Sequence, residues 1–348
     1  MCPTPLKRLG QLTLLLSLLW LSALSPAVAQ TESRSFCIYD PIGANGFIYQ
    51  SFQSYVVQAR EWGVKLEPQA YTNEAVAAKD LRAGKCDIAA VTGIRAIHFV
   101  KFAGSLDMAG GLQTYDQEKT AIQVMSSPKA AKHMHQDGYE VVGVLPLGKA
   151  FLFSSQKRYL DSLDSIAGKK IAVMSYDKQA STLAKVAGAS PVGATIASFG
   201  PMFNNGSVDL AYAPSFAYNA LELYKGLGDS GAIADFVLGM LSGQMVIHQD
   251  RFPDAFGQKS REWVFNNMYA PTMRRVRKAD TEIPEKYWVH ISGERDKRYR
   301  EMFRQTRERL WDQNWYDRKM QHLLKKIRCE TDAGLAECSQ PSEGGPVN

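Results

Sequence analysis

Two stretches, "RAGKCDIAAVTG" at residues 82–93 and "NNGSVDLAYAPS" at residues 204–215, share one skeleton although more than a hundred residues separate them. In each, two residues stand between a glycine and an aspartate, and a short run of small and apolar residues then ends at a turn signal. A glycine so placed is a natural helix stop. An apolar run without polar alternation reads as a strand buried on both faces, as in parallel sheets. The chain therefore writes helix, glycine stop and buried strand twice.

Working outward from the first copy, "SFCIYD" predicts a strand that stops at Asp40-Pro41 and the turn "IGANG", and "FIYQSFQSYVVQAREWG" predicts a helix ending at Gly63. "VKLEPQAY" follows as a strand and "NEAVAAKDLRAG" as a helix ending at Gly84. Around the second copy the same grammar recurs. "KKIAVM" is a strand, Ser175 is the expected cap of a helix "YDKQASTLAKVAG", "SPVGATI" is a strand, "ASFGPMFNNG" a short helix and "VDLAYA" a strand. Such alternation gives a mostly parallel sheet wrapped by helices on both faces. "YEVVGVLPLGKAFLFSS" leaves the first half as a long apolar run, and "SGQMVIHQ" returns to it after a helix expected at "ADFVLGML". Two strands linking two α/β halves make a hinge. Ligands of such sheets gather at the carboxyl ends of the strands, so the two copies aim "VTGIR" and "APSFAY" at one cleft.

The expected fold class is α/β and two-lobed, with lobe 1 at 30–146 plus 243–280 and lobe 2 at 147–242. Helices at 281–328 pack on the lobes, and 329–348 form a disulfide-stapled flexible tail. The segment from Pro271 to Arg328 carries seventeen Lys and Arg against nine Asp and Glu. Its signs alternate at helical spacing, with Tyr299, Met302, Phe303 and Leu310 on one apolar stripe and Met320, Leu323, Leu324 and Ile327 on another. This is an amphipathic helix pair with a solvated charged face, and not a nucleic-acid surface, which needs aromatic or groove-entering context beside charge.

Residues 1–29 read as a cleaved signal peptide: Lys7 and Arg8 precede the thirteen-residue run "LTLLLSLLWLSAL", and Ala27-Val28-Ala29 offers small residues for cleavage. The run is shorter than the roughly twenty residues of a spanning helix. Export to the periplasm is expected, and cleavage lowers the net charge from +6 to +4 and leaves four of five cysteines. An even count in an oxidising compartment points to two disulfides. Of the three possible pairings, Cys37–Cys86 with Cys329–Cys338 is favoured, because the first two sit near strands that can be neighbours and the last two make a local staple.

By position at strand ends, the expected ligand-binding residues are Tyr39, Asp40 and Asn45, then Thr92 and Arg95, then Ser175, Tyr176 and Lys178, then Pro214, Ser215 and Tyr218. Asp40 is placed to meet a cationic or polyhydroxylated ligand, whereas Tyr212, inside its strand, reads as core. Ser175-Tyr176-Asp177-Lys178 matches S-x-x-K but has no S-D-N or K-T-G partner, so acylation chemistry is not expected. His133 and His135 stand alone as a metal motif, and no phosphate-cradling glycine loop follows a strand. No enzyme activity, cofactor or metal is expected.

The stretch "LDSIAGKKIAVMSYDKQASTLAKVAGASPVGATIASFGPMFNNGSVDLAYAPSFAYNALELYKG" resembles the periplasmic solute-binding receptors of the tripartite ATP-independent (TRAP) type, within the periplasmic binding proteins. It follows their glycine-lysine strand, helix, "lGAsPvp" turn, short helix and "g.vDg..np" segment; "AVAAKDLRAGKCDIAAVTG" and "FVKFAGSLDMAGGLQ" extend the likeness to the first half. The resemblance implies a type II-like monomeric receptor that captures a small polar solute between its lobes and delivers it to integral membrane transporter subunits. One departure bears on the solute. The family holds carboxylates with arginines, and here Ala172 and Ala150 stand at those positions. A hydrogen bond to charge contributes about 1.5–3 kcal/mol, so the usual solute class does not follow from the resemblance. A second reading of the same fold is an accessory or sensor subunit of an efflux or signalling complex, acting through protein contacts.

Overall fold

The computed structural model describes residues 32–347, so the expected signal peptide lies outside the described residues. Strands β1 (Glu32–Tyr39), β2 (Val64–Tyr71) and β3 (Ile88–Thr92) form one parallel trio, and β6 (Lys170–Met174), β7 (Ser190–Ala194) and β8 (Leu210–Pro214) form another. Between them run two long antiparallel strands, β5 (Tyr139–Ser154) and β9 (Ala232–His248). One sheet results, in the order β2-β1-β3-β9-β5-β8-β6-β7, with the short strands β4 (His135–Gln136) beside β5 and β10 (Trp288–His290) beside β9.

The doubled skeleton has a doubled structural role. Helices α2 (Glu74–Arg82) and α5 (Ile196–Asn204) end just before Gly84 and Gly206, whose φ angles of 72° and 75° favour glycine. The aspartates that follow then act as extra strand residues. Asp87 N donates to Ser35 O at 3.1 Å while Asp87 Oδ2 accepts from Ser35 N at 2.7 Å. Asp209 repeats this with Lys170, at 2.9 Å in both directions. The carbonyl of each aspartate also accepts from a long central strand's end, Asp87 from His248 N at 3.1 Å and Asp209 from Ser155 N at 2.9 Å. Each copy thus ties its trio to the central pair and fixes its register.

Three expectations are corrected. "ADFVLGML" is not a helix but the first part of β9, which runs unbroken for 17 residues. Most of β9 is buried, and its near-continuous apolar run hides the period of two. Ser175 is not the cap of α4 (Lys178–Val186); Asp177 is, its Oδ1 accepting from Ala180 N at 2.9 Å. The predicted helix ending at Gly63 is two pieces, Phe47–Ser51 and α1 (Gln53–Glu61), joined at Phe52.

Helices α3 (Tyr115–Ser126), α6 (Phe256–Trp263) and α7 (Tyr269–Thr281) cover β5, while α8 (Glu294–Asp312) packs on α4 and α9 (Arg318–Thr331) on α3. Both favoured disulfides are present. The tail after Cys329 is docked. Arg307 and Arg328, 2% and 3% exposed, clamp Glu343 through bonds of 2.7 and 2.8 Å, and both also bind Glu337. Lys325 Nζ donates to the carbonyls of Gln340, Ser342 and Gly345. The charged face expected to be solvated therefore includes three buried cations, because their acceptors come from the tail.

Candidate functional site

The carboxyl ends of the trios face each other across β5 and β9. Glu74 opens α2, Thr92 ends β3 and Arg95 follows in the next turn; Tyr176 follows β6 from the other side. Glu74 is the centre of the group. Its Oε1 accepts from Thr92 N and Thr92 Oγ1, both at 2.6 Å, and its Oε2 accepts from Tyr176 Oη at 2.5 Å. Arg95 Nε lies 3.6 Å from the same Oε2, and its guanidinium sits 3.3 Å above the centre of the Tyr176 ring. A buried ion pair persists only where further hydrogen bonds complete it, and Thr92 and Tyr176 supply them. Burial, then the charge of Glu74, pushes the Tyr176 phenol well above its usual range; burial does the same to Tyr39, which stands at the end of β1. Both hydroxyls stay protonated, and that of Tyr176 is the donor to Glu74.

Beside this latch lies a cavity of about 60 Å³ with mostly apolar walls, onto which Asp107, Asp177, Gln179 and Tyr212 open. Asp107 is 1% exposed; its carboxylate accepts from Ser242 N at 3.0 Å and from Ser242 Oγ at 2.5 Å. Gly93 makes room for it, since a Cβ there would stand 2.5 Å from that carboxylate. Burial pushes the Asp107 carboxyl up to about 8, against the pull of the two Ser242 bonds. Asp177 Oδ2 accepts from Tyr212 Oη at 2.7 Å, and burial raises this carboxyl to about 6. Gln179 bridges the region, donating to Asp107 O at 3.0 Å and accepting from Tyr316 Oη at 2.8 Å.

Of the residues expected from sequence, Thr92, Arg95 and Tyr176 meet at Glu74, and Tyr39 shares a small neighbouring cavity with Thr92. Ser215 donates to Asp280 Oδ1 at 2.6 Å and faces another cavity; the Thr92 and Ser215 cavities share Phe47 and Leu147 as walls. Pro214 pairs with Ala150 in the sheet. Asp40 accepts from the backbone N–H groups of Ile42 in its turn and of Ile48 and Tyr49 in the first turn of the Phe47–Ser51 helix. Asn45 is exposed, Ser175 and Lys178 line an open groove on the far side of Asp177, and Tyr218 packs against Tyr224 and Tyr287. Glu74, Asp107 and Gln179 were not expected, and Asp177 and Tyr212 only as parts of a motif and a core. One signal was available: "SLDMAGG" sets a lone carboxylate in an apolar, glycine-bearing stretch. Among the described residues, no three His, Cys, Asp or Glu side chains group to hold a metal, and no helix is long and apolar enough to cross a membrane.

The sequence profile of the family described as "Solute-binding protein AdeT 1/2" matches residues 59–343. The chain is 39% identical over 306 residues to the probable solute-binding protein AdeT1 of Acinetobacter baumannii, an alignment that covers 88% of this chain and 100% of that protein. Its fold is similar to that of a TRAP periplasmic solute-binding protein from Desulfovibrio salexigens with bound orotic acid, with a TM-score of 0.69, 14% identity, and coverage of 86% and 98%. It is similar in the same way to one from Rhodoferax ferrireducens with bound malonate, at 0.67, 15%, 86% and 100%.

Proposed function

The chain belongs to the AdeT 1/2 family of solute-binding proteins, and on that footing we propose that it is an exported periplasmic receptor without chemistry of its own. It captures a small polar solute between two lobes and hands the closed complex to integral membrane subunits of a TRAP-type transporter. The observation that carries this reading is the Glu74–Tyr176 bond, which joins the two trios across the cleft at their strand ends. Open and closed forms interconvert about β5 and β9. Pairing of these strands shifts register between Pro146 and Gly148, and Gly148 has a φ of 106°, so the backbone there is already adapted to bend.

The test is a thermal-shift screen of purified mature protein against polar metabolites of both charges. At least one solute raises the melting temperature in a saturable way, as binding to the native state requires. A screen without stabilising solutes, together with recovery of the protein on its membrane partner regardless of added solute, contradicts the receptor reading.

A further inference from the structure

Resting on the receptor reading, we propose that the captured solute carries an ammonium group, seated against Asp107 and Asp177, and not a carboxylate. Both residues line the 60 Å³ cavity, and among the described residues none that lines it is a lysine, arginine or histidine. Their hydrogen bonds come only from uncharged donors: Ser242 for Asp107, and Ala180 N and Tyr212 for Asp177. The one guanidinium of the latch, Arg95, is paired with Glu74 at 3.6 Å and stacked on Tyr176, its Nε making no hydrogen bond. Glu74, Asp107 and Asp177 thus share this one guanidinium, and a fourth buried carboxyl, Glu118, lies near enough to Asp107 to feel its charge.

A buried carboxylate without a counter-charge is costly, and attraction to an arriving cation is strong where the dielectric is low. A carboxylate solute meets the opposite situation. Ala150 lines the cavity, and at 3% exposure it offers a methyl group where an anion needs a guanidinium. Behind Ser242, outside the cavity lining, Gln244 is fully buried, donates to Ser242 Oγ at 2.9 Å and leaves its Oε1 without a partner. The remaining walls, Leu183 and Leu238 among them, suit a short alkyl body attached to the ammonium. The closed cavity is far below the roughly 300–1,000 Å³ of sites for drug-sized ligands, so it fits a small amine head, and any larger body extends along the cleft.

The experiment compares two ions of nearly equal shape, n-butylammonium and butyrate, by calorimetry and thermal shift at matched ionic strength and pH 8.5. Butylammonium raises the melting temperature and butyrate does not. The wild-type affinity for butylammonium falls at least about tenfold from pH 8.5 to 5.5 as the carboxyls gain protons. Asp107→Asn and Asp177→Asn each lower it by a similar factor without lowering the melting temperature of the free protein. Stabilisation by butyrate but not by butylammonium overturns the proposal and leaves the receptor reading standing. A butylammonium response unchanged in both variants and at both pH values also overturns it, as does the absence of any response to butylammonium. In that last case a positive metabolite screen keeps the receptor reading alive.

Discussion

The Tyr176 hydroxyl reaches the Glu74 carboxylate at 2.5 Å, and the two residues come from opposite sides of the β5–β9 pair. With Arg95 stacked on the Tyr176 ring, this contact closes the cleft using the protein's own side chains. Closure held by a few bonds is the kind of bistable element that a solute can bias.

Tyr176→Phe removes one donor from a buried charged acceptor, which costs about 1.5–3 kcal/mol. The variant melts several degrees lower and populates a more open form, visible as a larger radius of gyration in solution scattering. A cycle with Glu74→Gln gives a coupling energy of about 1 kcal/mol or more. Additive effects mean that the two residues do not act together.

Stability follows pH in opposite senses at two places. Asp107, raised to about 8, binds more protons in the native state than in the unfolded one, so its contribution is fully present below the ordinary carboxyl range and is lost as pH rises from about 4 to 8. The charges of Asp177 and Glu74 add to this raise, and the charge of Asp107 in turn adds to that of buried Glu118. Glu343 has the other sign. Despite burial, Arg307 and Arg328 hold its carboxyl at about 2, so its contribution is present above the ordinary range and fades as pH falls toward 2. Urea midpoints therefore peak near pH 5, and Asp107→Asn flattens the alkaline limb alone.

Glu343→Ala leaves Arg307 and Arg328 buried beside one carboxylate where there were two. Breaking a buried pair in this way costs about 3–5 kcal/mol. Chemical denaturation shows a loss of this order in Glu343→Ala, while Lys297→Ala, in an exposed pair with Glu294, changes stability by less than about 1 kcal/mol.

Gly93→Ala places a methyl carbon 2.5 Å from the Asp107 carboxylate, which is held by two bonds from Ser242. The variant is destabilised by about 1–3 kcal/mol, the usual range for overpacking. Solute-dependent stabilisation falls more steeply than stability does, as titrations of the refolded variant show.

The two trios were legible because "RAGKCDIAAVTG" and "NNGSVDLAYAPS" encode one device, a glycine stop followed by an aspartate that locks the neighbouring strand. Thr92, Arg95 and Tyr176, expected from their places at strand ends, come together at Glu74. The first part of β9 was not legible, since a strand buried on both faces loses the alternation that distinguishes it from a helix. Asp107 and the docked tail stayed hidden for another reason. A carboxylate or an arginine in isolation reads as solvated, and only tertiary contacts with Ser242 or Glu343 reveal that it is buried. Asp40 shows the converse, a strand-end carboxylate whose bonds all go to backbone N–H groups of the turn and short helix that follow it.

The most direct measurement is the distance between spin labels at the exposed positions Glu61 and Lys185, one on each half, with and without a solute that stabilises the protein. The account predicts a broad distribution of longer distances in the free protein that shortens and narrows on saturation. A single distance, identical with and without that solute, contradicts it.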